Sequence, residues 1–238
     1  MQVSLNIGIV GYGKMGHMVE SIAEERGHGI AFVAAKKGDP WQAADVIIEF
    51  SRPESALSNI RKAISSNIPM VTGTTGWQNH LSEVRTEVED ADASLLYASN
   101  FSVGVNLTFA MNQRLAALMQ NQPSYKVSIE ETHHTEKLDS PSGTAISLGQ
   151  GIINAHTGYS DWKESDNTAD GIIPIIAHRE PDVPGTHIVR WENEIDRIEL
   201  KHEAKNRRGF ALGAVIAAEW LHGRNGLFTM RDVLHNII

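Results

Sequence analysis

Over the first hundred positions, short and mostly apolar runs alternate with longer stretches in which apolar residues recur every three or four places. Leu5 to Val10 has the density of a strand buried on both faces. Beyond it Met15, Val19, Ile22 and Ala23 line one side of a helix that Gly27 would end. The alternation then continues with strands at Ile30 to Ala35, Val46 to Phe50, Pro69 to Thr72 and Ser94 to Ala98. Between them, a helix running to Asn67 would bury Ala56, Ile60, Ala63 and Ile64, and one over Trp77 to Ala91 would bury Leu81, Val84 and Val88. Ser51-Arg52-Pro53-Glu54 has the spacing of a capping box with proline in the first turn. Strand and helix in strict alternation predict an α/β fold, a doubly wound parallel sheet of Rossmann type.

After Phe101 the period changes. Leu107, Met111, Leu115 and Leu118 mark a helix that Asn121-Gln122-Pro123 stops, and Lys126 to Glu131 reads as a strand with Val127 and Ile129 on one face. Ile172 to Ala177, Thr186 to Trp191 and Arg197 to His202 are expected to be antiparallel strands, making a second α+β domain around an open mixed or antiparallel sheet. The polar stretch from Gly158 to Asp170 is expected to be a surface loop, and Gly209 to His222 an apolar helix packing back on the first domain. The expected division is a dinucleotide-binding domain at 1–102, completed by 212–238, and a domain at 103–211 for substrate and oligomer contacts.

Composition narrows the function. A chain of 238 residues can bury a substantial core. Its formal net charge of −8 argues against nucleic acid or an anionic membrane as partner, while leaving room for a small anionic substrate in a local basic pocket. Having no cysteine, the chain has neither a disulfide nor a thiolate nucleophile. This excludes a semialdehyde dehydrogenase that acylates its cysteine. No signal peptide and no apolar run of about 18 residues is visible, so a soluble cytoplasmic protein is expected. The 11 histidines include no HExxH spacing, and no metal is expected.

Two motifs carry chemistry. Gly11-Tyr12-Gly13-Lys14-Met15-Gly16 lies between a strand and a helix, where glycines let backbone amides approach a pyrophosphate. At the end of the second strand, where an acid would bind a ribose 2′-hydroxyl, the chain has Lys36-Lys37. Two ammonium groups suit a 2′-phosphate, with Lys14 a third, so a preference for NADPH, or use of both NADPH and NADH, is expected rather than strict use of NADH. Phe50-Ser51, Gly73-Thr74-Thr75 and Ala98-Ser99-Asn100-Phe101 fall at the carboxyl ends of the other strands, where such sheets bind ligands.

The second motif is Glu131-Thr132-His133-His134-Thr135-Glu136-Lys137-Leu138-Asp139-Ser140-Pro141-Ser142-Gly143-Thr144-Ala145. Two imidazoles and an ammonium precede an expected helix start, with Asp139 or Ser140 as cap and Pro141 in the first turn. Side-chain-free Gly143 would let amides face a carboxylate. Adjacent histidines at a strand end point to opposite faces and so take different roles, and imidazole suits proton transfer near neutrality.

This stretch resembles the signature of the dihydrodipicolinate reductase (4-hydroxy-tetrahydrodipicolinate reductase) family, with Ser140 in a place usually held by alanine. The glycine turn, Gly73-Thr74-Thr75-Gly76, Ala98-Ser99-Asn100-Phe101-Ser102 and Ala204-Lys205-Asn206-Arg207-Arg208-Gly209-Phe210 extend the resemblance over the whole chain. Lys36 stands near the place of the family's acidic cofactor residue. The resemblance implies reduction of the dehydrated cyclic imine of 4-hydroxy-tetrahydrodipicolinate by NAD(P)H, in diaminopimelate and lysine biosynthesis, by a homotetramer. It implies His133 as proton donor, Lys137 as a second donor, and His134, Lys137, Gly143, Thr144 and Arg207 around a dicarboxylate. Alternatives are another two-domain nicotinamide oxidoreductase of amino-acid dehydrogenase type, or a non-catalytic dinucleotide-sensing protein.

Overall fold

In the computed structural model, which describes residues 3–36, 38–167 and 170–234, the chain runs out of one compact unit, through a second, and back. Lys37 and the end of the 212–238 segment lie outside the described residues. The first half comprises β1 (Asn6–Val10), α1 (Lys14–Glu25), β2 (Gly29–Ala34), β3 (Val46–Glu49), α2 (Pro53–Ser65), β4 (Met70–Thr72), α3 (Leu81–Asp90) and β5 (Ser94–Tyr97). Next come α4 (Val103–Met119), β6 (Lys126–His133), α5 (Gly143–Ala155), β7 (Asp161–Glu164), β8 (Ile172–Arg179), β9 (Thr186–Glu192) and β10 (Arg197–Glu203). The chain then forms α6 (Arg208–Leu221), β11 (Gly226–Phe228) and α7 (Met230–Leu234).

The first unit takes the chain up to Val103 and from Arg208 onward. Its six strands are all parallel, in the order β11-β5-β4-β3-β1-β2. Both faces are covered, which is why its strands are nearly all apolar. Val19 and Ile22 of α1 pack with Ala214, Val215 and Leu221 of α6 on one face. Ile60 of α2 and Val84 and Val88 of α3 pack on the other. The expected apolar helix after Gly209 is thus α6, and β11 adds an edge strand that three residues of local pattern do not announce.

The second unit, from Gly104 to Arg207, holds a five-stranded mixed sheet in the order β10-β9-β6-β8-β7. Val127, Ile129, Ile175, Val189 and Trp191 from its strands pack with Leu148 and Ile152 of α5. Two expectations are corrected here. β8 pairs with β6 in parallel, not antiparallel, because α5 supplies the long crossover that a parallel pair needs. The stretch Gly158 to Asp170 is not wholly loop, since β7 extends the sheet beside β8 with polar residues exposed at its edge.

Helix starts also differ from expectation. α2 is capped at Arg52 without a side-chain hydrogen bond, because the Ser51 hydroxyl donates to Glu49 instead. α5 begins at Gly143, with Ser142 as its N-cap accepting from the Ala145 amide at 3.2 Å, so Asp139, Ser140 and Pro141 all precede the helix.

Candidate active site

The glycine turn can be tested for its fit to a dinucleotide by asking what each glycine accommodates. Gly11 has φ +88°, and a Cβ there would lie 2.1 Å from the Phe50 carbonyl oxygen. A Cβ on Gly16 would lie 2.3 Å from the Gly11 oxygen. Both are therefore demanded by the fold. At Gly13 a Cβ would meet no atom within 4 Å among the described residues beyond its chain neighbours, so open space borders it. Gly13 caps α1 with no side-chain hydrogen bond, and the first turn of α1 carries no acid. An open, uncapped helix start of this kind fits a pyrophosphate.

The neighbouring loops are tied together by a group the sequence reading missed. Glu49, fully buried at the end of β3, accepts from Thr72 Oγ1 at 2.5 Å, Thr74 Oγ1 at 3.1 Å, the Ser51 amide at 3.1 Å and the Ser51 hydroxyl. An acid in an otherwise apolar run was the available signal. Thr74 thus turns its hydroxyl inward, while Thr75 is exposed. Phe50 packs edge-on against Phe101, which is buried in the core, and Asn100 accepts from the Ser102 amide at 2.9 Å. Tyr12 donates to Glu20 and lies tilted against the His17 ring, centroids 3.8 Å apart, Met15 leans on the core, and Ala98 is half-buried. Lys14 and Lys36 are exposed, and the Lys36 amide donates to an Asp39 carboxylate oxygen at 2.8 Å, closing the turn after β2.

The signature residues converge in the second unit. In β6 the alternate residues Val127, Ile129, Glu131 and His133 are buried, so a carboxylate and an imidazole occupy core-facing places. Glu131 has no exposed side-chain surface, and its Oε2 lies 3.2 Å from His133 Nδ1 and 3.6 Å from His187 Nε2. Its Oε1 accepts from the Ser142 amide at 2.9 Å and from both terminal nitrogens of Arg179 at 3.4 Å. Burial alone would raise the Glu131 carboxyl, but the adjacent His133 and His187 rings and the hydrogen bond from Ser142 outweigh it and hold the group far below the usual carboxylate range. Burial pushes the His187 imidazole down, against the opposing pull of Glu131. Glu131, His133 and His187 are spaced closely enough to ligate a cation. The Arg179 guanidinium on the same carboxylate opposes one and supplies the charge balance instead.

His134 faces another way, as two successive residues at a strand end should. Arg207 donates to its Nε2 at 3.3 Å, while Arg208 pairs with Glu25 in the first unit. Of the two adjacent arginines, it is Arg207 that belongs to this cluster. Lys137 Nζ is held by both oxygens of Asp139 at 2.8 Å. The hydrogen bond from Lys137 pulls the Asp139 carboxyl below its ordinary value. Gly143 is exposed at the start of α5, and Thr144 is half-buried one residue further. Arg179 and His187, on β8 and β9, were missed. A histidine in phase with Val189 and Trp191 on the inward face of β9 was the legible sign.

A family described as dihydrodipicolinate reductase, N-terminus, matches residues 5–101, and its C-terminal counterpart matches residues 104–234. A 4-hydroxy-tetrahydrodipicolinate reductase of Christiangramia forsetii is 46% identical over 98% of this chain and 99% of its own. The chain belongs to the dihydrodipicolinate reductase family. A second dihydrodipicolinate reductase relative, the 4-hydroxy-tetrahydrodipicolinate reductase of Neisseria meningitidis, is 34% identical over 80% of this chain and 72% of its own. The fold matches a dipicolinate-bound dihydrodipicolinate reductase from Paenisporosarcina sp. TG-14, at a TM-score of 0.79 and 22% identity over 99% of this chain and 100% of that one. As a member of this reductase family the chain is an oxidoreductase, and its Rossmann-type unit is of the kind that binds a nicotinamide dinucleotide. Membership of the dihydrodipicolinate reductases sets aside the amino-acid dehydrogenase alternative.

Proposed function

We propose that the chain reduces the dehydrated cyclic imine of 4-hydroxy-tetrahydrodipicolinate to tetrahydrodipicolinate, a step toward diaminopimelate and lysine. The observation that carries this reading is the buried His133–Glu131 pair, with the half-buried Arg179 on the same carboxylate, beside the exposed start of α5. When bound, a reduced nicotinamide cofactor supplies the hydride that C4 of the ring receives. His133 then protonates the enamine that results, with Lys137 as a second donor. The substrate's two carboxylates find a fixed cation in Arg207 beside His134, an amide at Gly143 with Thr144 next to it, and Lys137 once Asp139 yields it. Charge-assisted hydrogen bonds of this type contribute about 1.5–3 kcal/mol each.

The first unit, in this reading, holds the cofactor through Gly11 to Gly16, Phe50, Gly73 to Thr75 and Ala98 to Phe101, and the second holds the substrate. NADPH is the preferred form, since Lys14 and Lys36 are exposed cations and one Asp39 oxygen is committed to the turn. The enzyme is cytoplasmic and a homotetramer built through the second unit's sheet. Among the described residues no helix is long and apolar enough to cross a membrane. The deciding assay follows the absorbance of NADPH and NADH in a coupled system that supplies the hydroxylated cyclic substrate. Oxidation dependent on that substrate is expected, and its absence would leave the non-catalytic sensing alternative. A lower KM for NADPH that Lys36→Ala raises supports the cofactor assignment, and light scattering tests the tetramer.

A further inference from the structure

Within the network around His133, Glu131 Oε2 and His133 Nδ1 are both buried, and neither has a hydrogen-bond partner elsewhere among the described residues. They lie 3.2 Å apart, so each is the other's available partner. The other oxygen of Glu131 is committed to the Ser142 amide and Arg179. The carboxylate is thereby fixed from three elements, β6, β8 and the start of α5. On the far side of the ring, a Cβ on Gly185 would lie 3.0 Å from His133 Nε2. The absence of a side chain at Gly185 leaves that nitrogen clear.

We propose that Glu131 is a positioning residue for proton transfer: its Oε2 holds Nδ1 of His133, so that Nε2, cleared by Gly185, carries the proton that is delivered. This rests on His133 being the donor in the reaction proposed above. In the step, the Nε2–H bond breaks as the new C–H bond forms, and the imidazolium becomes a neutral ring that keeps its remaining proton on Nδ1 against Glu131. Water then returns a proton to Nε2. His187 approaches the same carboxylate oxygen, with its ring centroid 5.0 Å from that of His133. Two imidazoliums on one carboxylate would repel, and burial pushes the His187 imidazole down. Among the described residues, the other charged or titratable groups near this ring are Arg179 and Glu180 at the end of β8, Lys137 with Asp139 in the loop after β6, and His202, which pairs with His187 across β10 and β9.

The test is the alkaline limb of the kcat profile, where a donor that must be protonated loses activity as pH rises. Removing a carboxylate at this distance with Glu131→Gln should move that limb down by about 1–3 pH units with little change in substrate KM. Removing the competing ring with His187→Gln should not move it down. An unmoved limb in a folded Glu131→Gln protein, or a downward shift in both variants, overturns the proposal. Because Glu131→Gln leaves the half-buried Arg179 without its carboxylate and could fail to fold, the unmodified protein offers a second reading. In 15N-histidine NMR, the His133 signal, assigned by its loss in His133→Gln, should show the Nδ1–H tautomer when neutral. The Nε2–H tautomer would overturn the proposal. Near-normal turnover in His133→Gln would instead overturn the donor assignment itself, so the two failures are distinct.

Discussion

His133 and His187, two buried histidines on neighbouring strands of one sheet, are expected to fail in different assays. Replacing a proton donor costs turnover, so His133→Gln should lower kcat by about 10²–10⁴-fold with a modest change in KM in steady-state kinetics. His187 should show itself in stability. Its imidazole is pushed below its ordinary value of 6.5, so as pH falls below that value the unfolded chain binds a proton the folded chain refuses. The His187 contribution to stability should then decline from pH 7 to pH 5, and His187→Gln should make the protein's stability fall less over that range in denaturant titrations. Glu131 acts in a lower window. Its depressed carboxyl contributes fully above its ordinary 4.5 and loses that contribution only as pH falls well below it. At this scale the signature from Glu131 to Ala145 was readable because its residue types are unusual together. Arg179, His187 and Gly185 were not, because each reaches the site through strand pairing from more distant sequence. The inward phase of Glu131 in β6 nonetheless demanded a cationic partner, and the half-buried Arg179 is one.

At the scale of elements, two glycines of one turn, Gly11 and Gly13, respond oppositely to substitution. Gly11→Ala should destabilise the protein by at least about 1–3 kcal/mol, from its left-handed backbone and its close approach to Phe50. Gly13→Ala should leave the thermal midpoint near that of the unmodified protein, since nothing of the chain borders that position. It should weaken cofactor binding by about tenfold or more, the equivalent of one lost charge-assisted hydrogen bond of roughly 1.5 kcal/mol. Calorimetry for the first and cofactor titration for the second separate the fold's glycine from the ligand's. Ser142→Ala should cost about 1 kcal/mol as a lost N-cap, read in denaturant melts. The strands and helices of the first unit were legible because each buries an apolar stripe of its own. The caps were not, since Ser51 and Ser142 choose between local and tertiary partners. Glu49 draws Ser51 away from α2, whereas Ser142 caps α5 while its amide serves Glu131. β7 and the parallel pairing of β8 escaped notice for a related reason: strand direction is set by the crossover, not by the strand's own residues.

At the scale of the whole molecule, the first unit is discontinuous in sequence, interrupted by the second. α6 supplies Ala211, Ala214, Val215, Ala217, Ala218 and Leu221 to the core of the first unit. A Cβ on Gly213 of that helix would overlap the Phe101 carbonyl, so the return segment is packed backbone to backbone. A chain ending at Arg207 should therefore lose cooperative unfolding of the dinucleotide unit and its binding of cofactor, measured by circular dichroism melts and cofactor titration. Sequence reading anticipated the return from the apolar run after Gly209, but not β11, which completes the sheet beside β5. The order of synthesis gives this return a cost in time. When β5 leaves the ribosome, the helix that will cover its sheet and the strand that will pair its edge are still more than a hundred codons away. At about 5–20 residues per second, that sheet waits roughly 5–20 s half-covered, with an open edge. The nascent chain is thus most exposed to mispairing and to chaperone capture not at its beginning but through the whole translation of its substrate unit.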